Sequence, residues 1–380
     1  MLEGPRAAKP EELIDIVNLV NSVFKVKPGS PSVLMDLFPQ LFNMDNLENL
    51  RVIAYDGKPV SHVGIWEGEL LIYGCWFKVG MIGSVCTHPN YRNKGYASAL
   101  VRDAFSKMRR DDVDLVLVSG SRNLYKRVGC VEAGKVYTYN MPRGKLDLDL
   151  DGISIVRYNE DLLKDLIEIY HREPVRYRRS LEEFKILLGR GLRYEDLKIY
   201  TAINRGRPLA YIAVELFLNE NVPTIVEYAG PRSIILYLIE RLLETLNVNA
   251  IKLAVPSQDL GMLYLLEEQN LEKMPSEAPA SMAIINPQSF LEKIQPYLEE
   301  KMGEKESRRF IYDLVHEKIR LHLNGEETSF SDSRALTLLF FGAPDKLRAP
   351  PQPEVKIKPR PESLSHALPM PTPIYGLNYI

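Results

Sequence analysis

Residues 84–101 read SVCTHPNYRNKGYASALV. An apolar, β-branched run ends at Pro89, which cannot extend a strand's hydrogen-bond ladder. Past it, Ala97, Leu100 and Val101 begin an apolar face that continues through Ala104, Phe105 and Met108 at helical spacing. The stretch is therefore a strand handing over to a helix, with Arg92, Asn93, Lys94 and Gly95 in the turn. Such a junction aims several backbone N–H groups and the positive end of the helix dipole at one point, which makes it a seat for an anion. Gly95 lets the main chain approach a ligand with no Cβ in the way, and Ala97 keeps the first helical turn narrow. Arg92 and Lys94 add charge where a diphosphate would lie. The same residues would also serve as a solvated turn, since loops favour Lys, Asn and Gly on their own account.

Working outward, Leu13, Ile16, Val17, Val20 and Phe24 predict a helix over 11–24. RVIAYDGKPVSHVGIWEG (51–68) predicts two strands about the turn Asp56-Gly57, with Trp66 and a solvated Glu67 in a turn beyond. WFKVGMIGSVCTHP (76–89) is the next strand, and VDLVLVSGS (113–121) is a short, nearly all-apolar strand of the kind covered on both faces. RNLYKRVG (122–129) is a short helix, and KVYTYNM (135–141) closes the unit.

The order then repeats. ISIVRYNEDLLKDLIEIY (153–170) gives strand and helix, and residues 197–218 form a hairpin about Arg205-Gly206. Residues 223–246 run strand to helix again, and NAIKLAVPSQDLGMLYLLEEQNL (249–271) mirrors the strand and short helix that carry Tyr125. In the second copy YAGPRSII (228–235) stands where the first has CTHPNYRNKGYAS (86–98), so the basic, glycine-centred loop is missing. Beyond it, INPQSFLEKIQPYLEEKM (285–302) reads as one amphipathic helix, and SFSDSRALTLLFFGAPDKL (329–347) as a capped apolar segment with a Gly-Pro stop. A proline-rich stretch follows, ending in PIYGLNYI. These shifts divide the chain into units 1–143, 144–286 and 287–380.

Composition narrows the options. The chain has 380 residues, 45% hydrophobic and 26% charged, with a formal charge of −2, so no global charge invites nucleic acid. No apolar run approaches a bilayer span, and no apolar leader follows the first charges, so neither membrane nor secretion is expected. Cys75, Cys86 and Cys130 lie far apart with no C-x-x-C pair, which suggests neither disulfides nor a metal site and fits a reducing cytoplasm. The P-loop, G-x-G-x-x-G, H-E-x-x-H and G-x-S-x-G patterns are all missing from the sequence.

Taken together, SVCTHPNYRNKGYASALV and LYKRVGC, in the order helix, hairpin, strand, loop, helix, strand, short helix, resemble the GNAT superfamily of N-acetyltransferases over residues 5–140. The wider layout of an intact unit, a degenerate one and a small C-terminal domain resembles the enhanced intracellular survival family, whose last domain is similar to sterol carrier proteins. The resemblance implies an α/β (α+β) fold: tandem mixed sheets flanked by helices, then a small α+β domain. It implies acetyl-CoA as co-substrate, with Val85, Cys86 and Thr87 meeting the pantetheine arm. It also implies that Arg92, Asn93, Lys94, Gly95, Tyr96 and Ala97 cradle the pyrophosphate; Ala97 stands where Gly is usual. Ser119, Ser121 and Asn123 are further cofactor contacts or, equally, helix caps.

Acetyl transfer to an amine needs a neutral nucleophile, a polarised carbonyl and a proton for the departing thiolate. By the resemblance Tyr125 is the general acid, and a main-chain N–H of Val85 or Cys86 is the oxyanion donor. Cys86, with no basic partner, reads as a buried hydrophobe, so direct attack without an acetyl-enzyme is expected. His62, His88 and Glu67 are available as bases, but the resemblance gives that role to the carboxylate of Ile380. The apolar tail residues Tyr375, Leu377 and Tyr379 favour burial, which suits docking at the site and would equally suit a staple between domains. The acceptor expected is a primary amine of a small molecule or a lysine, and the family implies a homo-oligomer. The rival is a non-catalytic acyl-CoA sensor or a lipid-binding carrier.

Overall fold

A computed structural model describes residues 1–24, 33–146, 150–193, 197–216, 222–315, 318–330, 332–348 and 364–380. Most of the proline-rich stretch before the tail therefore lies outside the described residues. The first unit contains β1 (Leu2–Ala7), α1 (Leu13–Phe24), α2 (Val33–Leu37), β2 (Leu50–Tyr55), β3 (Lys58–Ile72), β4 (Cys75–Thr87), α3 (Tyr96–Arg110), β5 (Leu115–Val118), α4 (Asn123–Lys126), β6 (Val131–Ala133) and β7 (Val136–Pro142). The second contains β8 (Ile153–Arg157), α5 (Leu163–Tyr170), β9 (Val175–Tyr177), α6 (Leu181–Arg193), β10 (Leu197–Asn204), β11 (Arg207–Glu215), β12 (Thr224–Ala229), α7 (Arg232–Thr245), β13 (Ala250–Pro256), α8 (Leu260–Glu268), β14 (Met274–Pro275) and β15 (Ala280–Ile284). The third has α9 (Pro287–Lys293), α10 (Gln295–Met302), α11 (Glu304–Ser307), β16 (Ile311–Val315), β17 (Lys318–Leu323), β18 (Glu326–Phe330) and α12 (Ser333–Phe341).

Among the described residues these strands make two large mixed sheets and a small antiparallel one. Their orders are β1-β2-β3-β4-β5-β15-β6 with β9 on β3, β14-β7-β13-β12-β11-β10-β8, and β16-β17-β18. This is the tandem α/β architecture expected of the sequence. The hairpins at Asp56-Gly57 and Arg205-Gly206 form because all four residues take left-handed φ, between 48° and 77°, matching the strand twist.

The two sheets exchange strands. KVYTYNM was expected to close the first unit, but its strand β7 pairs antiparallel with β13 in the second sheet, where Tyr139 and Met141 enter that core. In return β15, buried at all five positions, slots between β5 and β6 of the first sheet. A strand such as Ala280–Ile284, apolar but for Ser281, whose Oγ donates to the Gly120 carbonyl at 2.8 Å, needs cover on both faces, and the centre of a sheet supplies it. Positions 143 and 286 fall just after the two exchanged strands.

Three local expectations need correction. Trp66 and Glu67 lie inside β3, which runs to a second hairpin at Tyr73-Gly74. Glu67 is not solvated: it pairs with Lys78 at 3.2 Å and Lys107 at 3.4 Å, and burial raises its carboxyl although both lysines oppose this. The single helix read over 285–302 is two, α9 and α10, joined at Ile294 because Pro296 cannot supply an N–H to the ladder.

Helix α3 lies over β2, β3 and β4 and buries Leu100, Val101, Ala104, Phe105 and Met108. Each large apolar side chain so buried contributes about 1.5–3 kcal/mol. That packing fixes the helix start beside the end of β4.

Candidate active site

The parallel strands β4 and β5 pair from Val79–Leu115 to Ile82–Val118 and then part, since β5 ends at Val118 while β4 continues to Thr87. At the same level the β3–β4 ladder shifts register between His62/Cys86 and Gly64/Gly83, with Ser84 at φ 54°. The bulge turns β4 away from its neighbour and opens a wedge between the strands.

A cleft of about 640 Å³ runs along this wedge. That volume lies within the usual range for small-molecule sites. Val85, Cys86, Thr87, Arg92, Asn93, Gly95, Tyr96 and Ala97 all line it. Asn93 and Gly95 adopt left-handed φ of 63° and 79°, and no side chain caps the start of α3. The first amides of the helix are thus left for a ligand. Arg92 stands exposed beside them, held by Nε donating to the Thr87 carbonyl at 3.3 Å.

Several expected residues lie off the cleft wall. Lys94 turns its Nζ over the Tyr91 ring, 5.2 Å from the centroid. Ser121 and the exposed Asn123 are not among the lining residues, and the Ser119 carbonyl is taken by Arg348 Nη1. Sequence reasoning missed Val23, Phe24, Tyr91, Ser98, Arg122 and Leu124, which complete the wall. Arg122 has a signal in retrospect, being a cation at the junction of β5 with α4, as Arg92 is at the junction of β4 with α3. Phe24 has none, because only the fold brings the end of α1 here.

Tyr125 is not among the lining residues either, although its neighbours Arg122 and Leu124 are; it is buried, its ring edge against Gly120 after β5. Burial raises its phenol above the ordinary value; Arg122 pulls it back, while Cys130 and Tyr379 add to the rise. It is therefore protonated at neutral pH and able to donate.

The tail reaches the same place. Ile380 is buried, and a Cβ built on Gly83 would stand 2.9 Å from its main-chain carboxyl carbon and oxygen. Gly83 is the first β4 residue beyond the last pair with β5, so this carboxyl sits where the wedge opens. Gln40 Nε2 donates to the Tyr379 carbonyl at 3.1 Å, and Phe38 and Tyr375 lie against the Tyr379 ring at 6.4 and 5.5 Å.

The other base and nucleophile candidates are placed differently. His62 is buried on β3 with Nδ1 3.2 Å from the Arg51 carbonyl; burial pushes its imidazole down to about 3, that carbonyl opposing. His88 accepts a hydrogen bond at Nδ1 from the Asn90 amide at 3.3 Å. Glu67 is committed to its lysines. The cysteines are buried thiols; burial pushes Cys86 up to about 12 and Cys75 to about 11. None has the depressed pKa of a nucleophilic thiol.

The part of the chain that carries the splayed parallel strands, the uncapped helix start and the buried tyrosine is the part that matches a known family model. Residues 5–133 match the family model described as an acetyltransferase (GNAT) domain. No curated protein matches the chain in sequence. Among solved structures, a GCN5-related N-acetyltransferase from Anabaena variabilis ATCC 29413 is 15% identical, with 89% of each chain covered and a TM-score of 0.61. A conserved protein of unknown function and probable N-acyltransferase from Enterococcus faecalis V583 is 15% identical, with 90% of each chain covered and a TM-score of 0.64. Eis1 from Mycobacterium abscessus is 12% identical, with 89% of this chain and 88% of that chain covered and a TM-score of 0.61. At such identities the likeness is one of fold, and it spans all three units. Among the described residues no helix is long and apolar enough to cross a membrane.

Proposed function

We propose that the protein is an acetyl-CoA-dependent N-acetyltransferase that moves an acetyl group to a primary amine by direct attack. The observation that carries this reading is that β4 serves two features within a few residues: Gly83, where it has just left β5, lies against the Ile380 carboxyl, and Val85, Cys86 and Thr87 line the cleft together with Arg92, Asn93 and Gly95 of the turn. Acetyl-CoA enters as substrate, its diphosphate on the turn amides and Arg92, its pantetheine along Val85–Thr87, its thioester at the wedge. The exposed Arg122 faces it across the cleft.

An alkyl amine with a pKa near 10.4 is mostly protonated at neutral pH, which adds about 4–5 kcal/mol to the barrier unless a base takes the proton on site. The Ile380 carboxylate is that base. A main-chain N–H of Val85 or Cys86 stabilises the oxyanion, this part of β4 having no β5 neighbour once that pairing ends at Ile82–Val118. Tyr125 then protonates the leaving thiolate. The raised thiol of Cys86 argues against an acetyl-enzyme. The acceptor is a small-molecule amine or a lysine side chain, and a homo-oligomer is the expected assembly.

Calorimetry with acetyl-CoA, followed by thiol release over a panel of amines, tests the proposal. Binding with amine-dependent thiol release is the expected result. Binding without release from any amine would instead favour an acyl-CoA sensor.

A further inference from the structure

The tail that brings Ile380 to Gly83 makes its most highly bonded contacts in the second unit. There β12 and β13 part beyond the pair Ile225–Leu253, as β4 and β5 part beyond Ile82–Val118. The β11–β12 ladder is shifted between Ala213/Glu227 and Val214/Ile225, repeating the bulge of the first unit at the same level of the wedge. The second unit thus retains the wedge of a donor site.

A cavity of about 290 Å³ remains beside that wedge, lined among others by Glu173, Glu227, Arg232, Asp259, Thr372 and Gly376, but polar groups at both ends of the wedge are engaged by the chain itself. At its helix start Pro231 has no N–H to offer, and Gly230 N donates to Glu173 Oε1 at 2.8 Å. Arg232 Nη1 and Nη2 bind the same carboxylate at 2.9 and 2.8 Å, and its Nε binds Asp259 at 3.1 Å. The Gly230 amide and the Arg232 guanidinium, which would meet a diphosphate, are thus spent on side-chain carboxylates. At the opening of the wedge Glu227, two residues beyond the last pair, is buried and accepts from Arg179 Nη1 at 2.8 Å, Arg179 Nη2 at 2.7 Å and Tyr211 Oη at 2.7 Å.

The tail completes this cluster. Leu377 N donates to Glu227 Oε2 at 2.9 Å, and Arg179 donates to Asn378 Oδ1 through Nε at 2.8 Å and Nη2 at 2.6 Å. A Cβ on Gly376 would stand 2.2 Å from Glu227 Oε2, so the backbone can lie against the carboxylate only because no side chain intervenes. On the opposite strand's end Gln258 Nε2 donates to the Thr372 carbonyl at 3.0 Å. The tail therefore crosses the second wedge from the β13 side to the β12 side before entering the first.

Resting on the reading that Ile380 is the base, we propose that the second unit's former donor wedge is the socket that aims it, with Glu227 and Arg179 as positioning residues. Only Tyr379 separates Asn378 from Ile380, and the two residue steps between them span at most about 7 Å. Clamping Asn378 thus confines the carboxylate to the neighbourhood of Gly83. A buried Arg–carboxylate pair is a weak source of net stability, so geometric definition is the more natural use of this one.

The test uses the full chain, with Asn378→Ala and Glu227→Gln, and reads the tail directly. Folded protein is incubated with a carboxypeptidase, and loss of Ile380 is followed by mass spectrometry alongside kcat, KM for acetyl-CoA and thermal unfolding. Expected are release at least about tenfold faster, kcat down by about tenfold or more, and an unchanged KM for acetyl-CoA. Asn378→Ala leaves the Arg179–Glu227 pair intact, so it keeps the test valid should Glu227→Gln fail to fold. Release at the parent rate from folded Asn378→Ala overturns the socket. Faster release with full kcat upholds the socket and overturns the base assignment instead.

Discussion

Gly83 and Ile380, remote in sequence, are in van der Waals contact: the position a Gly83 Cβ would occupy is 2.9 Å from the Ile380 carboxyl carbon. That is closer than real Cβ contacts come, and both partners are main chain, so a side chain here must displace one of them. Gly83→Ala is expected to push the carboxyl away from the wedge, lowering kcat by about two orders of magnitude, the typical worth of a general base. Affinity for acetyl-CoA should hold, because the turn lies beyond the end of β4. Steady-state kinetics with calorimetry on the same variant checks both halves; full kcat would remove Ile380 from the mechanism.

Deleting Tyr379 and Ile380 makes the companion case. Turnover should disappear while acetyl-CoA still binds, since the Ile380 contact is with Gly83 and the turn begins past the end of β4 at Thr87.

Tyr125 gives a prediction about pH. Burial raises its phenol, so it should hold its proton across the working range and lose it only above the ordinary tyrosine value. The alkaline fall of kcat should then lie above about pH 10, and Tyr125→Phe should cost about 10²–10⁴ in kcat while keeping the ring against Gly120. A profile that falls near pH 8 in the parent, or a Phe variant of full activity, would assign the acid to another group.

What the sequence makes legible here is what local physics dictates. The turns at Asp56-Gly57 and Arg205-Gly206, the face of α3 and the R-x-x-G-x-A turn follow from φ requirements and periodicity within a few residues of each other. The exchange of β7 for β15 is decided by which sheet can cover an apolar strand on both faces, a long-range choice that local pattern leaves open. The same holds for Phe24 and Arg122 at the cleft and for the Leu377–Glu227 contact. Gly83 does carry a trace, because a glycine inside a strand marks a place where another backbone or a ligand comes close. The sequence does not say that the visitor is the tail.

The turn itself yields an affinity prediction. Gly95 holds φ 79°, and an added methyl group would meet nothing within 4 Å, so Gly95→Ala acts through backbone conformation alone. A left-handed residue with a Cβ costs about 1–2 kcal/mol, or roughly five- to thirtyfold in acetyl-CoA affinity if the ligand requires that geometry. Arg92→Ala should add a loss that shrinks with added salt, because Arg92 is exposed. Titration calorimetry at two ionic strengths measures each. If the double variant stays folded and binds as the parent does, the diphosphate is not held here.

His62 supplies a stability prediction whose sign follows from its burial. Its imidazole is pushed down to about 3 in the folded chain, whereas an unfolded histidine titrates near 6.5. Between those values the unfolded chain binds the extra proton, so stability rises with pH there and is lost as pH falls below about 6.5. From this residue alone the fold should be about 1.4 kcal/mol less stable at pH 5.5 than at pH 7.5. Urea unfolding of the parent and of His62→Gln at the two pH values isolates the contribution. Whatever the substitution costs overall, the variant should show a pH dependence weaker by about that amount. An equal dependence in both would mean that His62 charges in the folded chain, and that the strand pairing between His62 and Cys86 opens to admit water.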